Sequence, residues 1–302
     1  RNAVSFGMIG ISLAFTITIG GIQAGIVDAV ENGVIEALGA DIMLLSNQTL
    51  PLSFRDNLTS LDERIQSVTP MSLYWSGTKV FHGENQSSVG VILIEPETFY
   101  DVIKYQFVDS PEPEEVFSKL SSNNETLILP DGLAHKLNVS VGSNLTVVTM
   151  YGPKNFTVEG VFTGAALQFI SFGFRPMSES IIISFKSESA YFYGKSEAVI
   201  FFVNLKKEYN QQASDVVKSI DLAYPQYDFA EYSTTLQDLL AGVRIQVDKI
   251  FSIFYLMLSF TIFISTIGIA IIMIMNVTER RREIGLLRSQ GMSRRQILGM
   301  LL

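Results

Sequence analysis

The densest group of ionisable side chains in this chain lies near its C-terminal end. There Arg280, Arg281, Arg282, Arg288, Arg294 and Arg295 stand with only Glu279 and Glu283. Guanidinium groups can hold carboxylates by charge-assisted hydrogen bonds. Groups that could make or break bonds are sparse. The absence of cysteine removes disulfides, thiolate metal ligands and thiol nucleophiles. His82 and His135 are far apart in sequence, and an isolated histidine reads as a surface or satisfied core residue, so no metal site is expected. No Gly-x-x-x-x-Gly-Lys-Ser/Thr loop is present, so the chain is not expected to bind or hydrolyse ATP itself. Neither a Gly-x-Ser-x-Gly elbow nor a His-Glu-x-x-His helix occurs. The expectation is a protein with no catalytic residues and no cofactor of its own.

The arginines are positioned by what precedes them. Residues 250–278 carry no charge, which is more than the roughly 20 residues a helix needs to cross a bilayer. A Lys/Arg excess beside a span marks the cytoplasmic face, so the C-terminal end is expected inside the cell. Residues 2–27 are likewise uncharged and read as a retained first span instead of a cleaved signal peptide, whose apolar core would be shorter. Neither span holds an interior Asp, Glu, Lys or Arg, the usual mark of an ion or proton path.

Beyond the second span the helix can continue to Arg288, Gly291 can supply the left-handed residue that stops it, and Ser293 can cap a new helix beginning at Arg294 and Arg295. That helix runs into Ile297, Leu298, Met300, Leu301 and Leu302. It reads as the approach to a third span, so the sequence is expected to continue beyond Leu302. The motif Glu-Arg-Arg-Arg-Glu-Ile-Gly from Glu279, then Arg288 and Gly291, then Arg-Arg-Gln-Ile-Leu from Arg294, resembles the signature after the second span of MacB/FtsX-type permeases, the membrane subunits of a class of ABC transporters. The resemblance implies that Glu279, Arg280, Arg281, Arg282, Glu283, Ile284, Gly285, Arg288, Gly291, Arg294 and Arg295 form a coupling segment contacting a separate cytoplasmic ATPase, and that two permease copies pair.

Helical stripes flank the region between the spans. Val27, Val30, Val34 and Leu38 recur at three- and four-residue spacing with Gly39 as C-cap. Leu236, Leu239, Leu240, Val243, Val247 and Ile250 repeat the pattern before the second span. These read as two stalks able to pair. Between them, strands are predicted over 72–81, 88–94, 126–129, 145–149, 156–162, 180–185 and 198–205, with a further strand opening at Asp41. Short helices are predicted over 96–105, 113–120, 132–137, 187–193 and 209–220; the acidic run 111–115 suits the N-terminus of the second of these. The fold class is α+β. The short helix at 132–137, the Val-Gly turn at Val141 and paired strands ending in Val-Glu-Gly-Val at Val158 are similar to the periplasmic core domain of MacB-type permeases.

The resulting order is a first span at 1–27, an extracytoplasmic domain at 28–233 that opens with a stalk at 28–38, a second stalk at 234–249, a second span at 250–276 and the coupling segment at 277–302. Both ends are expected in the cytoplasm of a multi-pass cell-membrane protein. The formal net charge is −8, and because the C-terminal segment is basic, the acid excess lies in the outer domain. That argues against nucleic-acid partners. Asn47, Asn57, Asn85, Asn124, Asn138, Asn144 and Asn155 each open an Asn-x-Ser/Thr sequon in this domain, making glycosylation plausible there. By resemblance, strokes of the ATPase move the outer domain and drive export. Alternative readings are a regulator of a cell-wall enzyme without transport, or a two-span receptor with an outer ligand-binding domain.

Overall fold

The computed structural model describes residues 2–103, 105–163, 171–172, 175–176, 179–192, 194 and 196–293. In chain order the elements are α1 (Asn2–Leu38), β1 (Ile42–Pro51), α2 (Phe54–Leu61), β2 (Ile65–His82), β3 (Asn85–Ile94), α3 (Pro96–Val102), α4 (Pro113–Ser122), β4 (Thr126–Pro130), α5 (Asp131–Leu137), β5 (Asn144–Thr149), β6 (Gly152–Phe162), β7 (Ser171–Phe172), β8 (Arg175–Pro176), β9 (Ser180–Ser184), α6 (Phe185–Tyr191), β10 (Glu197–Leu205), α7 (Ala213–Ala223), α8 (Phe229–Tyr232), β11 (Thr234–Thr235) and α9 (Leu236–Ser289). Two compact units result, Ala29–Val243 and, separately, Arg1–Asp28 with Arg244–Leu302.

The first unit is an α+β domain around one nine-stranded mixed sheet, ordered β11-β1-β10-β2-β3-β9-β4-β6-β5. Its organising element is β2, 18 residues long. The first part of β2 pairs with β10, from Ile65 to Met71. Its register against β3 then breaks between Tyr74 and Thr78, where Gly77 sits at φ +69°. A left-handed glycine at such a break lets a strand bend without a Cβ clash. Past the bend Val80 and Phe81 also pair with Val147 and Thr146 of β5. The sequence β2-β3-β9-β4-β6-β5 therefore closes on itself, leaving β10, β1 and β11 as an open wing.

Burial follows this topology. Val80, Val91, Leu93, Leu127, Leu129, Val147, Phe156, Ile181 and Ile183 belong to one core cluster. Ile92, Ile94, Ile128 and Ile182, on the opposite faces of the same strands, belong to a second, with Phe99, Val116, Phe117 and Leu120 from α3 and α4. Strands covered on both faces need unbroken apolar runs, and β9 is buried at all five positions. β5 has only one covered face, and its burial alternates.

Two glycines carry specific packing. Gly39 ends α1 at φ +63°, and its N–H donates to the Ile35 carbonyl at 2.9 Å, the single-bond left-handed cap. A Cβ there would lie 3.0 Å from Ile103 Cγ2 and 3.1 Å from Ile103 Cα. Gly160 of β6 lies under the Phe107 ring, and a Cβ would come within 2.6 Å of Phe107 Cε1. That close approach gives a physical reason for the glycine of the Val-Glu-Gly-Val run.

Several expected boundaries shift. The first predicted helix, 96–105, stops at Val102 because Ile103 is extended (φ −110°, ψ 117°) and donates back to Phe99. The strand predicted over 180–185 ends at Ser184, whose hydroxyl caps α6 by accepting from the Lys186 N–H at 3.2 Å, so Phe185 is already helical. The helix predicted over 209–220 is a 3₁₀ turn, Lys207–Gln212, followed by α7. The second stalk was expected from 234, but Thr234 and Thr235 form β11 against β1 and the helix begins at Leu236. The second half of β2 was anticipated; its first half and α2 were not.

Candidate functional site

Both long helices are rooted in the sheet at one residue. Asp41 follows the cap of α1, its N–H donates to the Val203 carbonyl at 3.1 Å, and its carbonyl accepts the Leu236 N–H at 2.9 Å, where α9 starts. Its carboxylate accepts the Leu205 N–H at 2.8 Å. Burial pushes the Asp41 pKa up, partly offset by that hydrogen bond. Above this junction Val34 and Leu38 are buried, and Leu236 and Leu239 pack against the cluster containing Leu38. The start of α9 is fixed further by Asp238, whose carboxylate accepts from the Thr235 hydroxyl at 2.7 Å.

In the second unit the two helices are joined by polar groups. The Gln23 side-chain amide donates to Asp248 Oδ1 at 2.9 Å, and its oxygen accepts from the Tyr255 hydroxyl at 2.9 Å. Val247 and Phe251 are the buried members of α9 here, while Ile250 is 55 % exposed. The stripe therefore ends on Phe251 and not, as its spacing implied, on Ile250. Ile250 and Phe251, three and four residues after Val247, both lie near its face, and burial selects Phe251.

α9 continues as one helix of 54 residues to Ser289, about 80 Å at 1.5 Å per residue. Among the described residues it is the helix long and apolar enough to cross a membrane, and none of its apolar stretch is buried. Glu279, Arg280, Arg281, Arg282, Glu283, Gly285 and Arg288 ride on its last turns with exposed surfaces, while Ile284 is half-buried. Arg281, Gly285 and Arg288, at i, i+4 and i+7, share one face, and a Cβ at Gly285 would meet nothing within 4 Å. The helix stops where anticipated. Gly291 has φ +87°, its N–H donates to the Arg288 carbonyl at 3.1 Å, and the Met292 N–H donates to the Leu287 carbonyl at 3.2 Å. Those two bonds are the paired closure of a Schellman cap. Arg294 and Arg295, the helix they were expected to start and the expected third span lie outside the described residues.

The histidines are on separate elements, His82 ending β2 and His135 in α5. Among the described residues no group of three or more His, Cys, Asp or Glu side chains could hold a metal ion. All seven sequon asparagines are exposed. Asn47 donates to Asp228, Asn85 donates to the Leu137 carbonyl at 3.2 Å, and Asn138 is the left-handed cap of α5 at φ 54°. Sequence spacing does not announce the Asp41 junction; its local signal is a carboxylate placed directly after the Gly39-Ala40 pair that follows α1.

Residues 4–220 match the MacB-like periplasmic core domain and residues 255–302 the FtsX-like permease C-terminal family. No curated protein matches the chain. Among solved structures, the periplasmic region of MacB from Actinobacillus actinomycetemcomitans superposes with a TM-score of 0.50 at 17 % identity, over 69 % of this chain and 95 % of that one. The extracellular domain of the noncanonic ABC-type transporter YknZ from Gram-positive bacteria matches over 65 % of this chain and 98 % of that one, at 12 % identity and a TM-score of 0.43. The first likeness supports the fold alone; the family matches together span most of the sequence, and the chain belongs to the MacB/FtsX-type ABC transporter permeases.

Proposed function

We propose that this chain is a permease subunit that couples ATP hydrolysis by a separate cytoplasmic ABC ATPase to motion of its extracytoplasmic domain, and that this motion extrudes a substrate. The observation that carries the reading is the continuity of α9. One unbroken helix runs from Leu236, hydrogen-bonded to Asp41 at the entry to β1, to Ser289 beside the Gly291 cap. A helix with no internal break passes displacement along its axis, because its backbone hydrogen bonds resist stretching and bending. In this reading the N-terminal uncharged run of α1 is a second span, both ends lie in the cytoplasm, and two copies of the chain pair with two ATPase subunits.

The exposed arginines supply the contact. Carboxylates on the ATPase would take Arg280, Arg281, Arg282 and Arg288, with Gly285 allowing close backbone approach and Gly291 setting the angle to the segment carrying Arg294 and Arg295. The chain would bind no nucleotide itself. The test is to co-express the full-length gene with the ATPase encoded beside it and purify through a tag on this chain. Co-purification of an active ATPase, abolished by reversing Arg281 and Arg288 to Glu, supports the reading. A chain that purifies alone under conditions that preserve the membrane complex overturns it.

A further inference from the structure

The β5–β6 hairpin carries two sequons in an interlocked register. In the antiparallel pairing Asn144 faces Thr157 and Thr146 faces Asn155, so the hydroxyl of each sequon lies opposite the asparagine of the other. The Thr146 hydroxyl donates to Asn155 Oδ1 at 2.8 Å, and the Thr157 hydroxyl donates to Asn144 Oδ1 at 3.4 Å. Because side chains two apart on a strand share a face, all four groups stand on the outer face, while Leu145, Val147, Phe156 and Val158 point into the core. Both asparagines are exposed and, among the described residues, use only their oxygen. The amide nitrogen, the atom that glycosylation modifies, is left to solvent. At Asn47 and Asn85 the reverse holds, since there the nitrogen is the group bonded to the protein.

We propose that Asn144 and Asn155 are a paired N-glycosylation site, and that transfer precedes closure of the hairpin. This inference rests on the extracytoplasmic placement of the domain proposed above. In the step, Nδ2 attacks the anomeric carbon of a sugar carried on a lipid phosphate. A C–N bond forms, the C–O bond to phosphate breaks, the lipid phosphate leaves and Nδ2 gives up one proton, with no change of oxidation state. Each Asn Oδ1 remains free to accept its threonine hydroxyl afterwards, so the glycans fit the folded hairpin. Before transfer the closed hairpin is a poor acceptor, because each sequon hydroxyl is already committed to the opposite strand.

The test uses the full chain purified from membranes of its own host, with peptide mass spectrometry across residues 138–162. Sugar mass on both asparagines is expected, with Asn144→Gln and Thr146→Val each removing the first glycan and Asn155→Gln and Thr157→Val each removing the second. Protein made without glycans and refolded should gain none when offered the host's transferase and lipid-linked donor. Unmodified Asn144 and Asn155 would overturn the proposal, as would efficient transfer to the folded protein. A Leu222→Cys variant separates this failure from failure of the placement: labelling by a membrane-impermeant maleimide on intact cells keeps the domain outside, whereas labelling only after permeabilisation overturns both.

Discussion

The carbonyl of Asp41 accepts the Leu236 N–H at 2.9 Å, so the end of one long helix and the start of the other are tied to the residue that leads into β1. The Asp41 carboxylate secures the junction by accepting the Leu205 N–H at 2.8 Å. Asp41→Ala leaves that partly buried amide without its partner and should cost about 1–3 kcal/mol locally. Hydrogen exchange on the intact protein should show faster exchange at Leu205 and at the first turns of α9. Unchanged protection would mean that the junction does not depend on the carboxylate.

Asp41 also has a pH signature. Burial raises its pKa above the ordinary value of 3.8, so the protonated acid is the form favoured by the fold. Its stabilising contribution is fully present below 3.8 and is lost as pH rises through the folded pKa. Asp62 has the opposite sign: hydrogen bonds from Arg64 hold its pKa below 3.8, with Arg64 Nη2 2.6 Å from Asp62 Oδ2. That contribution is present above 3.8 and disappears as pH falls through the lowered pKa. Asp62→Asn should flatten the acid limb of a stability-versus-pH curve, and Asp41→Asn should remove a small loss in the range just above 3.8.

Gly39→Ala tests the cap of α1. The substitution places a Cβ at φ +63° and 3.1 Å from the Ile103 backbone, and the left-handed conformation alone costs about 1–2 kcal/mol. A lowered thermal midpoint is expected, while Gly25→Ala, in the helix interior with open space around its Cβ, should leave it level or raise it. Equal midpoints for the two variants would contradict the role given to Gly39.

Gly291→Val places a branched side chain at φ +87° and should break the Schellman closure at the end of α9. The outer domain should stay folded and the ATPase should still turn over, but substrate extrusion should fall to background. Normal coupled transport in this variant would refute the role of the corner.

Much of this was legible in the sequence because period-two and period-3.6 patterns are local. β9 and β10 could be read from runs such as Ile181, Ile182 and Ile183, the cap at Gly39 from glycine following an apolar stripe, and the cap at Gly291 from glycine between the basic helix and Ser293. What was not legible depends on distant partners. The first half of β2 is a strand because β10 lies beside it, more than a hundred residues later. α2 is held by Phe54, whose ring meets Phe201, Tyr224, Tyr227 and Phe229. The Asp41 junction likewise joins three segments by single backbone bonds, and no local pattern announces it. The choice between Ile250 and Phe251 turned on one residue of helix phase, which burial decides and sequence spacing does not.

On the function proposed above, nucleotide turnover in a partner ATPase should displace the outer domain through the two helices. Residues 1–302 contain no cysteine, so Leu222→Cys, at a site 82 % exposed on α7, gives one spin label in this stretch of each copy once any cysteines elsewhere in the complex are replaced. The measurement is the label-to-label distance across the paired permease in a lipid nanodisc with its ATPase, before and after trapping ATP hydrolysis. A distance distribution that shifts on trapping in the wild-type background and stays fixed with Gly291→Val is expected. An unshifted distribution in the wild-type background, in a complex that hydrolyses ATP, would contradict it.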